Sequence, residues 1–447
     1  MFHTNTLHLK NYLGKHKQCS CGRIHSTNLR NIDISAGALE RIPDLIQEYH
    51  YHKVCLIADR NTYQAAGDRV YAILQNADIE TKTIIFDENE LIPDEHALGK
   101  IMMVLDRDTD LVVTVGSGTL NDIGKFISFK LAIDYFIVAT APSMDGFASN
   151  VSAMITNRLK TTYETHVPKA IIGDINILKE APMNMIAAGI GDILGKYVCL
   201  LDWKIAHLIQ GEYHCEYIES MMRNAIEVIM SGVKDVKNRD DKAIQSIMEG
   251  LVLSGIAMSF AGNSRPASGS EHHLSHYWEM MFLFQNRSPI LHGTKVGIGT
   301  ITAIKLYEGL TMSSIDFEEA IRKAEQYNQK DWEVQIRKVY GPVAEDVIRF
   351  EQSANKNDPK DVIARINLLK QNWEIIKSLI EKELPSAEKL TEILKNVDAP
   401  TAPREVGIDQ KMLLDSICYA KEIRNRYGLL QILYDLNIDP VGIGNFS

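Results

Sequence analysis

LVVTVGSGTLNDIGK, residues 111–125, runs from a β-branched apolar stretch through a Gly-Ser-Gly turn into a helical pattern. A strand that turns on glycine into a helix is the unit from which parallel α/β sheets are built. Gly116 and Gly118 let backbone amides come close to a ligand. The helix N-terminus beyond them offers free N–H groups and partial positive charge to an anion. The three-glycine dinucleotide pattern is incomplete, because position 121 is Asn. By itself the turn therefore reads equally well as a phosphate cradle or as a plain strand–helix connection.

Four further apolar runs flank it: KVCLIAD (53–59), TKTIIFD (81–87), YFIVATAP (135–142) and AIIGDINIL (170–178). They alternate with helical stretches and predict a mostly parallel sheet covered on both faces. Beyond Pro182 the periodicity is helical to the end. The expected fold is α/β: a Rossmann-like parallel-sheet domain, then an all-helical domain, with the active site in the cleft between them. The boundaries drawn are an N-terminal extension over 1–30, a dinucleotide-binding domain over 31–180 and a helical metal- and substrate-binding domain over 181–447.

A chain of 447 residues exceeds what one core usually supports, which agrees with that division. The formal net charge of -10, with acidic and basic residues mixed, argues against a nucleic-acid partner. The N-terminus lacks an apolar core of signal-peptide length, and GLVLSGIAMSFAG (250–262) reads as a buried helix too short for a membrane span. Cys55, Cys199, Cys215 and Cys418 read as reduced thiols, so a cytoplasmic protein is expected. HKQCSCGRIH sets His16, Cys19, Cys21 and His25 in ten residues. C-x-C is not the usual finger spacing, and the segment reads first as an extension and second as a zinc knot.

Polar residues gather where strands end. Asp59 closes the first strand, where a carboxylate can bind a ribose hydroxyl pair. TAPSMDGFASN places Thr140, Ser143, Asp145 and Ser149 in one turn after the fourth. In the helical half, SGSEHHLSH puts His272 and His276 four apart on one helix face, with His273 turned about 100° away. Asp192 and Lys196 share a face in AAGIGDILGK, and His292 opens ILHGTKVGIGT. Singly, Asp192 is a cap, Lys196 its ion-pair partner and His292 a core or capping histidine. Jointly, a carboxylate and two imidazoles suit a zinc-like site with a position left for substrate.

G-D-x-L-G-K, E-H-x-x-x-H and H-G-x-K-V-x-x-G, following G-S-G-T-x-x-D and T-A-P-S-x-D-G-x-A-S, resemble the iron-containing alcohol dehydrogenase and dehydroquinate synthase superfamily. The likeness is greatest to its sn-glycerol-1-phosphate dehydrogenase branch, of the bacterial type linked to arabinose operons. It is strong over roughly residues 30 to 310. The resemblance implies that Asp192, His272 and His292 bind Zn²⁺ or Ni²⁺. His276, Asp145 and Asp192 would act on the substrate, and His273 would be structural. Gly118, Thr119, Leu120, Asn121 and Asp122 would hold the cofactor pyrophosphate. Thr140, Ser143 and Ser149 would line the nicotinamide side, and Asp59 would meet the adenosine ribose.

The reaction so implied is reduction of dihydroxyacetone phosphate to sn-glycerol 1-phosphate by NAD(H) or NADP(H), in glycerophospholipid metabolism. An acid at Asp59 favours NADH, while the neighbouring Arg60 keeps NADPH open. Arg265, Lys196 and Lys295 are the candidates for the substrate phosphate. The alternatives are a glycerol or other polyol dehydrogenase, a dehydroquinate-synthase-like enzyme, and a catalytically silent binding protein. A homodimer is the assembly the family implies.

Overall fold

The computed structural model describes residues 7–14, 16–88, 90–156 and 159–444. The chain forms two compact units. One comprises Met1–Ile193, Glu216–Ser264 and Asn396–Asp398, the other Leu194–Cys215, Arg265–Lys395 and Ala399–Ser447. The change from sheet to helix falls where the sequence places it, but the compact units divide the chain differently. The helices Glu216–Gly232 and Asp241–Ala261 group with the sheet rather than with the helical half.

In the first unit, two short strands, β1 (Lys17–Gln18) and β2 (Ile24–His25), form an antiparallel hairpin. The main sheet is made by β3 (Asn31–Ser35), β4 (Lys53–Asp59), β5 (Glu80–Phe86), β6 (Leu111–Gly116) and β7 (Asp134–Ala139) together with a sixth strand. After a second antiparallel hairpin, β8 (Val151–Thr156) and β9 (Leu159–Glu164), that sixth strand, β10 (Ala170–Asp174), enters the sheet. The order is β3-β10-β7-β6-β4-β5, and every pairing is parallel. Central β6 pairs Val113 with Leu56 on one side and Phe136 on the other, and all six of its residues are buried. Burial on both faces is why these strands read as continuous apolar runs rather than alternating ones.

Three details depart from the sequence reading. The run AIIGDINIL stops being strand at Asp174, whose carboxylate accepts from the backbone N–H groups of Asn176 (3.0 Å) and Gly37 (3.1 Å). That cap starts the helical turn Ile175–Leu178, against the β-propensity of its isoleucines. The hairpins β1–β2 and β8–β9 and the edge strand β3 are not among the strands singled out from the sequence. The helix containing GLVLSGIAMSFAG is longer than that stretch, running over Asp241–Ala261. It and Met183–Gln210 are long and apolar enough to cross a membrane by length and composition alone. In this fold 78% and 83% of their apolar windows are buried. They are core helices.

The loop–helix unit that opens the sheet is closely packed. A Cβ on Gly124 would lie 2.5 Å from Thr114 Cγ2 on β6 and 2.7 Å from Tyr135 on β7. Gly124 thus lets the helix Gly118–Leu131 lie against the sheet, the role of the third glycine in a dinucleotide fingerprint, three positions later than the usual spacing. The second unit contains only helices among its described residues, including Lys196–Gln210, Ser270–Phe284, His292–Met312 and Pro359–Glu383.

Candidate active site

In the first unit the strand ends of β4, β6 and β7 carry the loops singled out from the sequence. Ser117 precedes the helix Gly118–Leu131, whose first turn leaves Gly118, Thr119 and Asp122 half-buried and Leu120 and Asn121 buried. Asn121 is tied to the neighbouring loop: its Nδ2 donates to Gly146 O at 3.1 Å and its Oδ1 accepts from Tyr135 OH at 2.8 Å. Leu120 packs where a Cβ on Gly116 would stand, 2.4 Å from its Cδ1. Ser143 Oγ pairs with Ser117 Oγ, and Thr140 N donates to Gly116 O at 3.1 Å. The two loops therefore form one rigid edge, with backbone amides at a helix N-terminus available to a phosphate.

A group that the sequence reading passed over holds that edge. Lys125 has no exposed side-chain surface, and its Nζ donates to Gly146 O, Ser149 Oγ (both 3.0 Å) and Val151 O (2.5 Å). It also lies 3.3 Å from Asp122. Burial lowers the pKa of Lys125, and Asp122 and Asp145 oppose the shift. A lysine on the buried helix face between Leu120, Ile123 and Ile127 was the available signal. Asp59 accepts from Thr62 N at 2.8 Å in a capping box. One of its oxygens is thereby used, and Arg60 beside it reaches Asp87 at 3.4 Å.

Asp145 and Asp192 belong to one arrangement. Asp145 N donates to Asp192 Oδ2 at 3.0 Å, and Asp145 Oδ2 accepts from Ser254 Oγ at 2.7 Å. Both carboxylates are buried. The helix Met183–Leu194 reaches the loop because of Gly189, where a Cβ would stand 1.9 Å from Pro142 O. Asp192 lies two residues before Leu194, where the second unit begins.

In the second unit the imidazoles of His272, His276 and His292 cluster. Ring centroids are 5.2 Å apart for His272 and His292, 5.9 Å for His276 and His292, and 6.0 Å for His272 and His276. Gly299 permits this, since a Cβ there would stand 2.6 Å from Glu271 O on the facing helix. The histidine beside His292 is His272, not His273. Burial drives the pKa of His273 well below the usual histidine value, with Arg426, Arg424 and Arg265 adding to the shift, so it is a neutral core residue.

Partners orient the rings. His272 Nδ1 meets Glu271 Oε1 at 2.6 Å, and that same oxygen accepts from Gly269 N at 2.7 Å. With Glu271 ionised, Nδ1 donates to it and Nε2 carries the lone pair, which suits a metal ligand. His276 Nδ1 lies 3.5 Å from Glu279, whose other oxygen is 3.1 Å from Lys295 Nζ. Asp202 fixes the start of the helix Ser270–Phe284, accepting from Ser270 N (2.7 Å), Ser270 Oγ (2.6 Å), Leu429 N (3.0 Å) and Tyr307 OH. Glu271 opens the E-H-x-x-x-H motif but has no role assigned to it there, and Asp202 and Glu279 stand in no motif.

Of the cations expected at the phosphate, Lys295 pairs with Glu279 beside His276, and Arg265 and Lys196 have protein partners of their own. Arg265 is 1% exposed, and its Nε and Nη2 donate to the two oxygens of Glu212 at 2.8 and 2.7 Å. Nη2 also donates to Tyr427 O at 2.6 Å. Lys196 donates to Ala267 O at 3.0 Å. Arg426, far along the sequence, donates to Ser268 O at 2.9 Å, just before the histidine helix. Burial, then Arg424 and Arg265, pulls its pKa down to about 9.

Comparison with known proteins agrees with this geometry. Residues 33–182 match the model of the iron-containing alcohol dehydrogenase family. The chain is 32% identical over 430 residues to the glycerol-1-phosphate dehydrogenase (NAD(P)+) of Geobacillus thermodenitrificans, covering 95% of this chain and 97% of that one. It is 33% identical over 343 residues to the enzyme of the same name from Bacillus subtilis, covering 74% and 86%. Its fold is similar to that of glycerol dehydrogenase from Schizosaccharomyces pombe, with a TM-score of 0.61, 15% identity and coverage of 97% and 93%. With a glycine turn and helix N-terminus at the sheet edge, a histidine cluster and relatives that match almost end to end, the chain belongs to the glycerol-1-phosphate dehydrogenase family, within the iron-containing alcohol dehydrogenases.

Proposed function

We propose that the protein reduces dihydroxyacetone phosphate to sn-glycerol 1-phosphate with NADH or NADPH, and that a divalent metal, Zn²⁺ or Ni²⁺, is held by Asp192, His272 and His292. The observation that carries this reading is the cluster of His272, His276 and His292, with the His272 Nδ1 proton committed to Glu271. Asp192 as third ligand is supported by its full burial, by the helix that continues from it into the second unit, and by the family motif. When bound, the metal supplies Lewis-acid polarisation of the ketone.

The remaining work falls to side chains. Asp145, fixed by Ser254 and by its N–H bond to Asp192, positions the substrate hydroxyl. NADH or NADPH, when bound, would supply hydride to the carbonyl carbon, and His276 would deliver the proton that completes the new hydroxyl. Glu279, beside His276 Nδ1, stabilises the imidazolium that precedes this transfer, and Lys295 holds Glu279. The amides of Gly118 to Asp122 receive the cofactor pyrophosphate, Thr140, Ser143 and Ser149 line the nicotinamide side, and Asp59 meets the ribose. Arg426 joins Arg265 as a cation for the substrate phosphate. A homodimer acting in the cytoplasm, with its product entering lipid synthesis, completes the reading.

The test follows NADH absorbance on enzyme stripped by chelator and then given Zn²⁺ or Ni²⁺, with dihydroxyacetone phosphate and dihydroxyacetone side by side. Metal-restored oxidation that requires the phosphate is expected. Oxidation driven only by the unphosphorylated ketone would move the protein to the polyol dehydrogenases, and no oxidation with either would overturn the proposal.

A further inference from the structure

The N-terminal hairpin carries a second set of metal-type ligands, independent of the reaction proposed above. Strands β1 and β2 pair Lys17 with His25 and Gln18 with Ile24. Between them Cys19 N donates to Arg23 O at 3.1 Å and Gly22 N to Cys19 O at 3.0 Å. Gly22 sits at φ +85°, in the left-handed region that glycine adopts without strain. This turn folds Cys21 back over the second strand, so that its Sγ lies 3.4 Å from His25 Nε2.

His25 is arranged as a ligand. Its side chain is fully buried, stacked on Phe260 (centroids 5.6 Å apart, planes at 12°) and on Tyr217 (6.2 Å, 16°). Its Nδ1 lies 3.0 Å from the carbonyl oxygen of Phe260. A carbonyl only accepts, so Nδ1 bears the proton and Nε2 presents its lone pair toward the cysteines. A backbone acceptor on the far nitrogen is the usual outer support of a metal-bound imidazole.

The fourth group comes from distant sequence. Cys215 is peptide-bonded to Glu216 at the head of the helix Glu216–Gly232, the helix that also carries Tyr217. The ligand atoms of Cys19, Cys21, His25 and Cys215 all lie within 4.8 Å of one another. A tetrahedral zinc ion with these donors needs ligand–ligand separations of about 3.5–3.8 Å, within reach of small side-chain rotations. Cys19, His25 and Cys215 are buried and all four positions are filled by protein, which marks a closed structural centre. Three thiolates and one imidazole leave a Zn²⁺ centre with a single negative charge. Lys17, 3.3 Å over the Tyr217 ring, and Arg23, within the turn, provide nearby positive charge. The cysteines are thiols rather than disulfides.

We propose that Cys19, Cys21, His25 and Cys215 bind one structural zinc ion that staples the N-terminal hairpin to the head of the helix Glu216–Gly232. The separation of three ligands in seven residues from a fourth nearly two hundred residues on explains why C-x-C alone did not identify a finger in the sequence.

The test measures metal content of the full-length protein by mass spectrometry, alongside the optical spectrum after exchange with Co²⁺. A cysteine-rich cobalt site gives thiolate-to-metal charge-transfer absorption in the near ultraviolet, which an aspartate–histidine site does not. Wild-type protein is expected to show that band, and Cys21→Ser to lose it together with one zinc per chain. His292→Ala, in the other site, is expected to keep both. Cys21 is partly exposed, so the serine is an easily housed replacement; if it nevertheless fails to fold, the wild-type cobalt spectrum decides by itself. Absence of the band in folded cobalt-exchanged wild type, zinc content indifferent to Cys21→Ser, or a Cys19–Cys21 disulfide in the freshly isolated protein would each overturn the proposal.

Discussion

Arg426 lies near two other guanidinium groups, and one of them, on Arg265, is already neutralised by a bidentate Glu212. Like charges held together in a buried place disfavour one another unless an anion joins them. An incoming phosphate would relieve that repulsion. A hydrogen bond to a charged group contributes about 1.5–3 kcal/mol, so Arg426→Ala should raise KM for dihydroxyacetone phosphate about ten-fold or more. The constants for dihydroxyacetone should hardly move. Equal effects on both ketones, in parallel steady-state assays, would remove Arg426 from phosphate recognition. Glu271 acts on the metal side through the ring it holds. Glu271→Gln keeps the shape but weakens the acceptor at His272 Nδ1, and loss of such an outer partner costs about 10–100-fold in metal affinity. Competition with a chromophoric chelator measures it, and an unchanged affinity would show that Glu271 serves only the backbone of Gly269.

At the scale of elements, close approaches set the geometry. The helix Met183–Leu194 can lie on the Thr140–Ser149 loop only because position 189 has no side chain, since a Cβ would stand 1.9 Å from Pro142 O. Gly189→Ala must push the helix or the loop aside. Overpacking of this kind costs about 1–3 kcal/mol and would also shift Asp192 against Asp145. Calorimetry should show a lower melting temperature and kinetics a lower kcat; a variant with wild-type melting and turnover would mean that the contact is slack. Such contacts explain what could be read beforehand. The central strands were legible because burial on both faces writes them as unbroken Val and Ile runs. His272, His276 and His292, which the structure brings together, stood in two spaced motifs. The packing roles of Gly189 and of Gly299, the last glycine of H-G-x-K-V-x-x-G, were not legible, because a glycine in a helix looks the same whether it faces solvent or another backbone. Lys125 lay inside the quoted loop, and its role appears only when the 146–151 oxygens close around it. Cys215 is separated from its hairpin by nearly the whole first unit, a distance no local pattern spans.

At the scale of the molecule, an acidic chain keeps a buried ionic centre deep in its helical unit. Glu422 meets Lys421, Lys356 (3.2 Å), Trp332 Nε1 (3.2 Å) and Asn357 Nδ2 (3.2 Å), joining segments up to 90 residues apart. Burial pushes the Glu422 carboxyl up, but Lys421 and Lys356 outweigh it and hold it at about 2. A carboxylate whose folded pKa lies below its unfolded value, near 4.5, adds stability above that pH. The contribution is lost as pH falls from about 4.5 toward 2. Glu422→Gln leaves two buried ammonium groups short of a counter-charge, at a cost of about 3–5 kcal/mol. Because the chain forms two compact units, unfolding need not be a single transition, and the effect belongs to the one that reports the helical unit. Intrinsic tryptophan fluorescence, from Trp203, Trp278, Trp332 and Trp373 of that unit, follows it against urea at a series of pH values. The variant should unfold at clearly lower urea at pH 7, and the gap should close steadily below pH 4.5. A gap that persists at the acid end would mean that Glu422 stabilises through shape and hydrogen bonds rather than charge.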